Sequence, residues 1–483
     1  MTRQSLGSLI RSTAAGPLAD AEALRYPGAA LSWSELDRTT NQGARTLAAC
    51  GVVADDLVAI TLPNAVAFHQ AVIAVWKAGA TPLIVPPKAA VPELREILRI
   101  AEPRVVVGSL ADGIGPVARI DTVIDAARSD EPVADLAPRY WKAVTSGGSS
   151  GRPKIIVDHM PGVIDLADLP LGPMGLTDGA VVLNPGPLYH NLPFLMSHLG
   201  LIAGCRVVGM QRFDAEETLR LIEAHRVTFV SLVPTMMQRI WALPTAVRER
   251  YDLSSLRIVW HMAAPCAPWL KRAWIEWLGP DRIWEAYGGT ESSGTAIGGA
   301  EWLRKPGSVG RVEPGTFKIV DAEGRTCAPN EVGEILFPSG TADKFHYLGT
   351  AAPALPEGRT SIGDLGFIDD DGYLFLADRR TDLILRGGAN IYPAEVEAAL
   401  DEHPDVESAI VIGLPCEDLG QTVHALVHPH AGTSLTAEDL ARFVEPRLSR
   451  HKRPQSYELV DHPLRDDAGK ARRPALLADR LRR

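Results

Sequence analysis

A ten-residue segment in the first third of the chain has the highest density of residue types that bind anions. It reads Thr-Ser-Gly-Gly-Ser-Ser-Gly-Arg-Pro-Lys, and its candidate ligands are Thr145, Ser146, Gly147, Gly148, Ser149, Ser150, Gly151 and Lys154. Glycines let the backbone approach a phosphate, hydroxyls donate hydrogen bonds, and Lys154 supplies positive charge. The segment predicts a polyphosphate-binding loop, and an ordinary Gly/Ser turn is the alternative. A Walker A loop is excluded because the spacing of its glycine and lysine is not met.

Four later sites in the chain carry acidic, basic or hydroxyl side chains that could contact a charged ligand. A Tyr-Gly-Gly-Thr-Glu segment places Thr290 beside Glu291, Asp364 follows a glycine, Arg379 follows an aspartate, and Lys470 begins a basic terminus. Each residue taken alone also has a purely structural interpretation. Asp364 is typical of a turn, and Lys470 of a solvated tail. Glu291 is typical of a surface loop, and Arg379 of a surface ion pair.

The order of these motifs resembles that of the acyl-adenylate-forming superfamily, which contains acyl-CoA synthetases, adenylation domains of peptide synthetases, and luciferases. The resemblance covers nearly the whole chain. Besides the 145–154 loop it rests on residues 31–36, 76–80, 287–291, 363–366, 378–382, 387–397 and 469–470. In that family a carboxylate attacks the α-phosphorus of ATP to give acyl-AMP and pyrophosphate, and a thiol then displaces AMP. Hydrogen-bond donors, a metal ion and a lysine must converge on the negative charge that develops at phosphorus.

The resemblance implies a role for each matching residue. Thr290 touches the α-phosphate, Glu291 holds magnesium, Asp364 binds the ribose hydroxyls, and Arg379 contacts ribose or phosphate. Lys470 bridges the incoming carboxylate and the α-phosphate. The nucleotide site is completed by Ala263, Ala264, Tyr287, Gly288 and Gly289. The implied cofactors are therefore ATP, Mg²⁺ and CoA.

The implied acid-binding pocket lacks the aspartate by which peptide-synthetase domains hold an α-amino group, so an amino-acid substrate is disfavoured. His190 matches a gate between the carboxylate site and the thiol tunnel; a hydrogen-bonded structural histidine is the alternative. The other candidate pocket residues are Tyr189, Asn191, Phe229, Val233, Met236, Trp260, His261 and Met262. Ser-Gly-Gly in the loop and Met-Ala-Ala-Pro at 262–265 resemble a bacterial subgroup that activates bulky steroid, terpenoid or polycyclic acids. Ordinary core packing is the alternative for the apolar side chains.

The sequence specifies the CoA-binding site and the hinge of the C-terminal domain less clearly than the nucleotide site. Gly387 and Gly388 match the turn along the pantetheine tunnel of CoA ligases, and Arg450 and Lys452 are candidate partners for CoA phosphates. Thr381 stands where many relatives carry an Asp or Lys swivel residue, which bears on the thioester step more than on adenylation. An adenylation-only enzyme that passes acyl-AMP to a carrier or thiolation protein is therefore the alternative function. A nucleotide-binding protein without chemistry is disfavoured, because binding alone does not require Lys470.

Composition restricts the class of protein. The 483 residues are 46% hydrophobic and 22% charged, which indicates a globular protein with several structural units. A formal charge of -10 argues against a nucleic-acid partner. Five scattered cysteines suit reduced thiols, and neither a secretory signal nor a membrane span is evident, so a cytoplasmic location is expected. Whether the chain forms a homodimer is left open.

The elements that must position these residues follow a βαβ rhythm. A helix over 34–51, a strand over 57–62, a helix over 65–78 and a strand over 81–85 predict a mostly parallel sheet. The pattern recurs over 179–260, and short strands over 307–375 predict a β-rich subdomain. The predicted fold is α/β, with an N-terminal adenylate-forming domain over 1–380 and a small mobile α+β lid over 381–483, hinged near Thr381.

Overall fold

A computed structural model describes residues 3–110, 114, 117–147, 153–291, 294–351, 354–379, 381–387, 389–466 and 469–482. Backbone contacts divide the chain into two compact units. The first comprises Met1–Ser231, Glu249–Val259 and Gly340–Gly358, and the second comprises Leu232–Arg248, Trp260–Ser339 and Arg359–Arg483. The predicted domain boundary at 380/381 falls inside the second unit and stays a prediction.

The first unit contains a seven-stranded sheet that carries the phosphate-loop segment. Its strand order is Phe345–Leu348, Pro153–Asp158, Lys142–Gly147, Thr81–Ile84, Leu57–Ile60, Val105–Val107 and Arg119–Ile120. The pairs from Lys142–Gly147 to Arg119–Ile120 are parallel, as the βαβ rhythm predicts. The strand predicted over 57–62 ends at Ile60, just ahead of Pro63, which lacks the N–H that a further ladder bond requires.

Another group of strands in the first unit follows the order Ala29–Ser32, Glu22–Tyr26, Arg206–Gly209, Val181–Asn184 and Phe229–Leu232. Gln4–Ser5 pairs separately with Val163–Ile164. The strand Ile258–His261 crosses from the first unit into the second.

The second unit contains the predicted β-rich subdomain and the predicted α+β segment. The five strands of the subdomain are ordered Ser308–Arg311, Tyr373–Arg379, Asp364–Ile368, Gly333–Leu336 and Lys318–Val320. The C-terminal sheet is ordered Ala389–Ile391, Ile384–Arg386, Gly420–Pro429 and Val406–Cys416, with Ser456–Leu459 also paired to Gly420–Pro429. Ile283–Tyr287 pairs antiparallel with Thr295–Gly298. This arrangement places Asp364 and Arg379 on neighbouring strands.

Helices cover the sheets, and several begin at residues that cap them. Ser32 forms a capping box with Glu35, and Thr436 forms one with Asp439. The helices are Leu6–Ala14, Trp33–Ala49, Val66–Lys77, Val91–Ala101, Asn191–Ile202, Ala215–His225, Pro234–Trp241, Thr245–Arg248, Pro268–Leu278, Gly299–Trp302, Pro393–Asp401, Ala437–Val444 and Arg473–Arg480. Among the described residues, none of the helices combines the length and the apolar character needed to cross a bilayer.

Candidate active site

The predicted phosphate-loop segment begins and ends on two paired strands of the first unit. Strands Lys142–Gly147 and Pro153–Asp158 pair antiparallel, with Ser146 opposite Lys154 and Gly147 opposite Pro153. The predicted ligands Gly148, Ser149, Ser150 and Gly151 lie outside the described residues. The Thr145 hydroxyl donates to the Ile84 carbonyl oxygen at 3.3 Å, so it ties the hairpin to the neighbouring strand. The Lys154 ammonium lies 5.1 Å from the ring centroid of Tyr347, within cation–π range.

A buried lysine that the sequence analysis did not single out contacts the segment around His190. The Lys142 side chain is about 1% exposed, and its ammonium lies 3.1 Å from Asp158 Oδ2 and 2.5 Å from Asn191 Oδ1. Asn191 begins a helix immediately after His190, whose ring lies 4.5 Å from that of Tyr189. The side-chain oxygen of Asn191, a candidate pocket residue, thus accepts a hydrogen bond from a lysine. The sequence feature that could have identified this lysine is a charged residue within the otherwise apolar run Trp-Lys-Ala-Val.

In the second unit, three predicted nucleotide-site residues form a hydrogen-bonded cluster. Asp364 stands directly opposite Arg379 in the antiparallel pair, and Arg379 Nε lies 3.3 Å from Asp364 Oδ1. The Tyr287 hydroxyl donates to Asp364 Oδ2 at 3.0 Å. Burial raises the pKa of Asp364, while Arg379 and Tyr287 oppose that rise by stabilising its charge. The cluster presents a carboxylate with two fixed partners, as a receptor for paired hydroxyls requires.

Glu291 and Thr290 follow Tyr287 on the connection to strand Thr295–Gly298. A Cβ atom on Gly289 would lie 3.1 Å from Glu291 Oε2 and 3.3 Å from Ile362, so a glycine lets this carboxylate pack closely. Within the described part of the chain, no group of three or more His, Cys, Asp and Glu side chains is arranged to hold a metal ion. A magnesium ion that keeps waters and phosphate oxygens needs one or two carboxylates, so Glu291 fits that kind of site.

Lys470 lies on a tight turn that reaches the same region of the second unit. Its amide donates to Asp466 Oδ1 at 2.9 Å, and its carbonyl oxygen accepts from the Asp466 amide at 3.0 Å. Gly469 has a φ of +75°, and a Cβ there would lie 2.9 Å from Thr235 Oγ1, so both conformation and space require glycine. Part of Lys470 reaches solvent, yet crowding by protein and the charge of Arg379 lower its pKa, whereas Asp466 and Glu291 oppose this shift. The charges of Arg379 and Glu291 therefore both act on the charge of Lys470.

The segment predicted to line both nucleotide and acid begins at the end of strand Ile258–His261. The Trp260 ring stacks with that of Trp284 at 6.3 Å, whereas His261 is shielded from solvent and its pKa is lowered by burial and by Lys271. Successive strand residues point to opposite faces, so Trp260 and His261 meet opposite sides of the sheet. Their assignment to the acid pocket stays a prediction.

Beyond the strand, Met262 is half-buried and Ala263 has a φ of +78°. A non-glycine residue in the left-handed region carries backbone strain, and such strain concentrates at functional sites. Ala264 follows, half-buried. Of the remaining predicted pocket residues, Phe229 belongs to the first unit, and Val233 and Met236 belong to the second; all three are buried.

The candidate CoA-binding residues differ in what surrounds them. Gly387 has a φ of +55°, as a glycine turn requires, and Gly388 lies outside the described residues. The Lys452 ammonium donates to both carboxylate oxygens of Glu395 at 2.7 Å, so its charge is paired, while Arg450 is exposed. Next to Thr381, Asp382 Oδ2 accepts from Arg473 at 2.8 Å.

The sequence model described as AMP-binding enzyme matches residues 11–341, and the model described as AMP-binding enzyme C-terminal domain matches residues 395–470. The chain belongs to the AMP-binding enzyme family. It is 31% identical to a feruloyl-CoA synthase from Amycolatopsis sp over 97% of this chain and 98% of that protein. It is 29% identical to the fatty acid--[acyl-carrier-protein] ligase ScoC from Streptomyces coeruleorubidus over 93% and 91%.

Among solved structures, o-succinylbenzoate coenzyme A synthetase from Bacillus subtilis, in complex with ATP and a magnesium ion, superposes with a TM-score of 0.83. It is 26% identical, and the match covers 98% of this chain and 100% of that one. The predicted superfamily membership, the α/β fold class and the assignment as an AMP-forming acid–thiol ligase are confirmed. The roles of the individual site residues stay predictions.

Proposed function

We propose that this chain is an acid:CoA ligase that uses ATP and Mg²⁺ to convert a bulky hydrophobic carboxylic acid to its acyl-AMP and then to its CoA thioester. The observation that carries the proposal is the contact of both Tyr287 and Arg379 with the Asp364 carboxylate in the second unit; the charges of Arg379 and Glu291 also act on the pKa of Lys470. These side chains provide an acceptor for ribose, a carboxylate for the metal ion, and two cations for the phosphate and the acid.

Each side chain has a separate task in the adenylation step. Asp364 accepts hydrogen bonds from the ribose hydroxyls, and the Tyr287 hydroxyl keeps its carboxylate oriented. Glu291 holds Mg²⁺, which neutralises phosphate charge when bound. The Lys470 ammonium draws the attacking carboxylate towards the α-phosphorus and stabilises the charge that develops there, so it acts in the transition state more than in binding.

The apolar character of the candidate pocket residues supports a bulky, hydrophobic acid as the substrate. Val233, Met236 and Trp260 of the second unit are buried and apolar, and the Trp260 ring stacks with that of Trp284. A large ring system gains roughly 25 cal/mol for each Å² of apolar surface that such residues remove from water. No carboxylate occurs at 187–193 to hold an amino group.

The test is pyrophosphate release by the purified protein with ATP, Mg²⁺ and a panel of steroid, diterpenoid, aryl and fatty acids. We expect Lys470→Ala to reduce the rate by at least about 100-fold, in the range for loss of a transition-state charge partner. Arg482→Ala, which removes another cation of the same basic terminus, should leave the rate unchanged. Full activity of the Lys470→Ala protein would refute the role given to this lysine.

One observation favours a second function, adenylation alone with a carrier or thiolation protein as acceptor. The pairing of Lys452 with Glu395 removes one of the two cations assigned to CoA phosphates. Adding CoA and analysing products by mass spectrometry separates the two functions. Acyl-CoA as the main product of the pure protein refutes the adenylation-only function, and acyl-AMP that accumulates in the presence of CoA refutes the ligase.

A further inference from the structure

One buried carboxylate contacts both ends of the turn that carries Lys470. Glu397 lies on helix Pro393–Asp401 and is about 4% exposed. Its Oε2 accepts from Arg465 at 3.0 Å, and its Oε1 accepts from Arg473 at 2.6 Å. The Val411 amide also donates to Oε1 at 2.8 Å. Both carboxylate oxygens are therefore bonded, to arginines on either side of Lys470 in sequence.

The two arginines extend these bonds to the turn itself. Arg465 donates to the Gly469 carbonyl oxygen at 3.3 Å, and its backbone forms an isolated antiparallel bridge with Ala471. Arg473 also donates to Asp382, and its pKa is raised by Glu397 and Asp382 against the effect of burial. These contacts close the turn at its base.

We propose that Glu397 is a positioning residue for adenylation, because it clamps Arg465 and Arg473 and thereby fixes the turn that presents Lys470. This inference rests on the proposed function of Lys470. Without the negative charge, two guanidinium groups would face each other in a poorly solvated site, and their repulsion would open the base of the turn. The turn would then present the Lys470 ammonium less precisely, which lowers the rate of a step that needs exact placement.

The testing variant is Glu397→Gln, which keeps the shape of the side chain and removes its charge. Glu402→Gln is the control: Glu402 is the C-cap of the same helix, and its carboxylate accepts from Arg447 at 3.0 Å rather than from Arg465 or Arg473. Hydrogen exchange measured by mass spectrometry reports the turn directly, through the amides of Asp466, Gly469 and Lys470. We expect exchange there to accelerate at least tenfold in Glu397→Gln and to stay within twofold of wild type in Glu402→Gln. Unchanged exchange in Glu397→Gln would overturn the clamp, whatever the activity of the protein.

A double-mutant cycle on pyrophosphate release tests the link to catalysis. We expect Glu397→Gln to lower kcat at least tenfold in the wild-type background with less than a threefold change in KM for ATP. In the Lys470→Ala background the same change should lower the residual rate less than twofold. Equal losses in both backgrounds would indicate a general structural role and overturn the proposal. Absence of pyrophosphate release from the wild-type protein would instead refute the proposed function, and the exchange measurement would still decide the clamp.

Discussion

Two buried histidines in the first unit make stability dependent on pH in a way that can be worked out from their hydrogen bonds. His69 and His198 are both inaccessible to solvent. His198 Nδ1 lies 2.8 Å from the Phe194 carbonyl oxygen, His198 Nε2 lies 3.2 Å from His69 Nδ1, and His69 Nε2 lies 2.9 Å from the Tyr26 hydroxyl. A carbonyl only accepts, so His198 Nδ1 carries hydrogen, His69 Nδ1 donates to His198 Nε2, and Tyr26 donates to His69 Nε2. The chain of bonds is complete with both rings neutral.

Acidification therefore lowers the free energy of unfolding. Burial lowers the pKa of His69 well below its usual value and that of His198 to about 3, whereas an unfolded histidine titrates near 6.5. Stability is fully present above about pH 6.5 and is lost as pH falls towards the folded pKa, because only the unfolded chain takes up protons in that window. At pH 5.5 the linkage relation gives about 1.4 kcal/mol for each histidine relative to pH 7.5.

The measurement compares wild type with His198→Phe in urea unfolding at pH 7.5 and 5.5. Local opening energies of Val66–Lys77 and Asn191–Ile202, obtained by hydrogen exchange, accompany it. The variant is expected to be less stable at pH 7.5, since His69 loses a partner, but to lose about 1.4 kcal/mol less than wild type on acidification. Carboxyl groups titrate alike in both proteins and cancel. Equal pH dependence of wild type and His198→Phe would refute the assignment of neutral buried rings.

Two further outcomes are expected. Gly469→Ala should reduce pyrophosphate release at least about tenfold without a large loss of global stability, because the new Cβ meets Thr235 Oγ1 at 2.9 Å and φ is +75°; an unaffected rate would show that the turn adapts. Lys271→Met should cost about 3–5 kcal/mol in urea unfolding, because it leaves Glu285 buried without its partner at 2.5 Å. The double variant Lys271→Met/Glu285→Leu should recover most of that loss, and a double variant as unstable as the single one would contradict this explanation.

The sequence was sufficient for the motifs and for the elements that carry them. Helices and strands with strong periodicity, such as Val66–Lys77 and Thr81–Ile84, formed close to the predicted bounds. Asp364 and Arg379, fifteen positions apart, were proposed on separate motifs, and the antiparallel register then placed them opposite one another. Turn chemistry at Gly469 was visible as a glycine before a lysine, although the need for that glycine came from Thr235.

Charged residues in buried positions were what sequence patterns did not reveal. Lys142, Lys271 and Glu397 carry long polar side chains that a linear pattern assigns to the surface. Each is buried because a partner from a distant part of the chain, such as Asp158 for Lys142, neutralises it. Which sheet face Trp260 and His261 each meet was likewise not visible in the sequence pattern, since the direction of a side chain depends on the register of its strand.

The sequence by itself predicted the chemistry proposed for this protein: an anion-binding loop, a carboxylate for a hard cation, an acceptor for ribose, and a lysine near the end of the chain, within a recognisable order of motifs. These depend on residue type and local spacing, which a linear chain displays. The tertiary structure decided which of them meet, which charges are already paired and how Lys470 is held, because those properties depend on contacts between residues far apart in sequence. The Glu397 clamp joins helix Pro393–Asp401 to residues about seventy positions further along, and only folding brings them together.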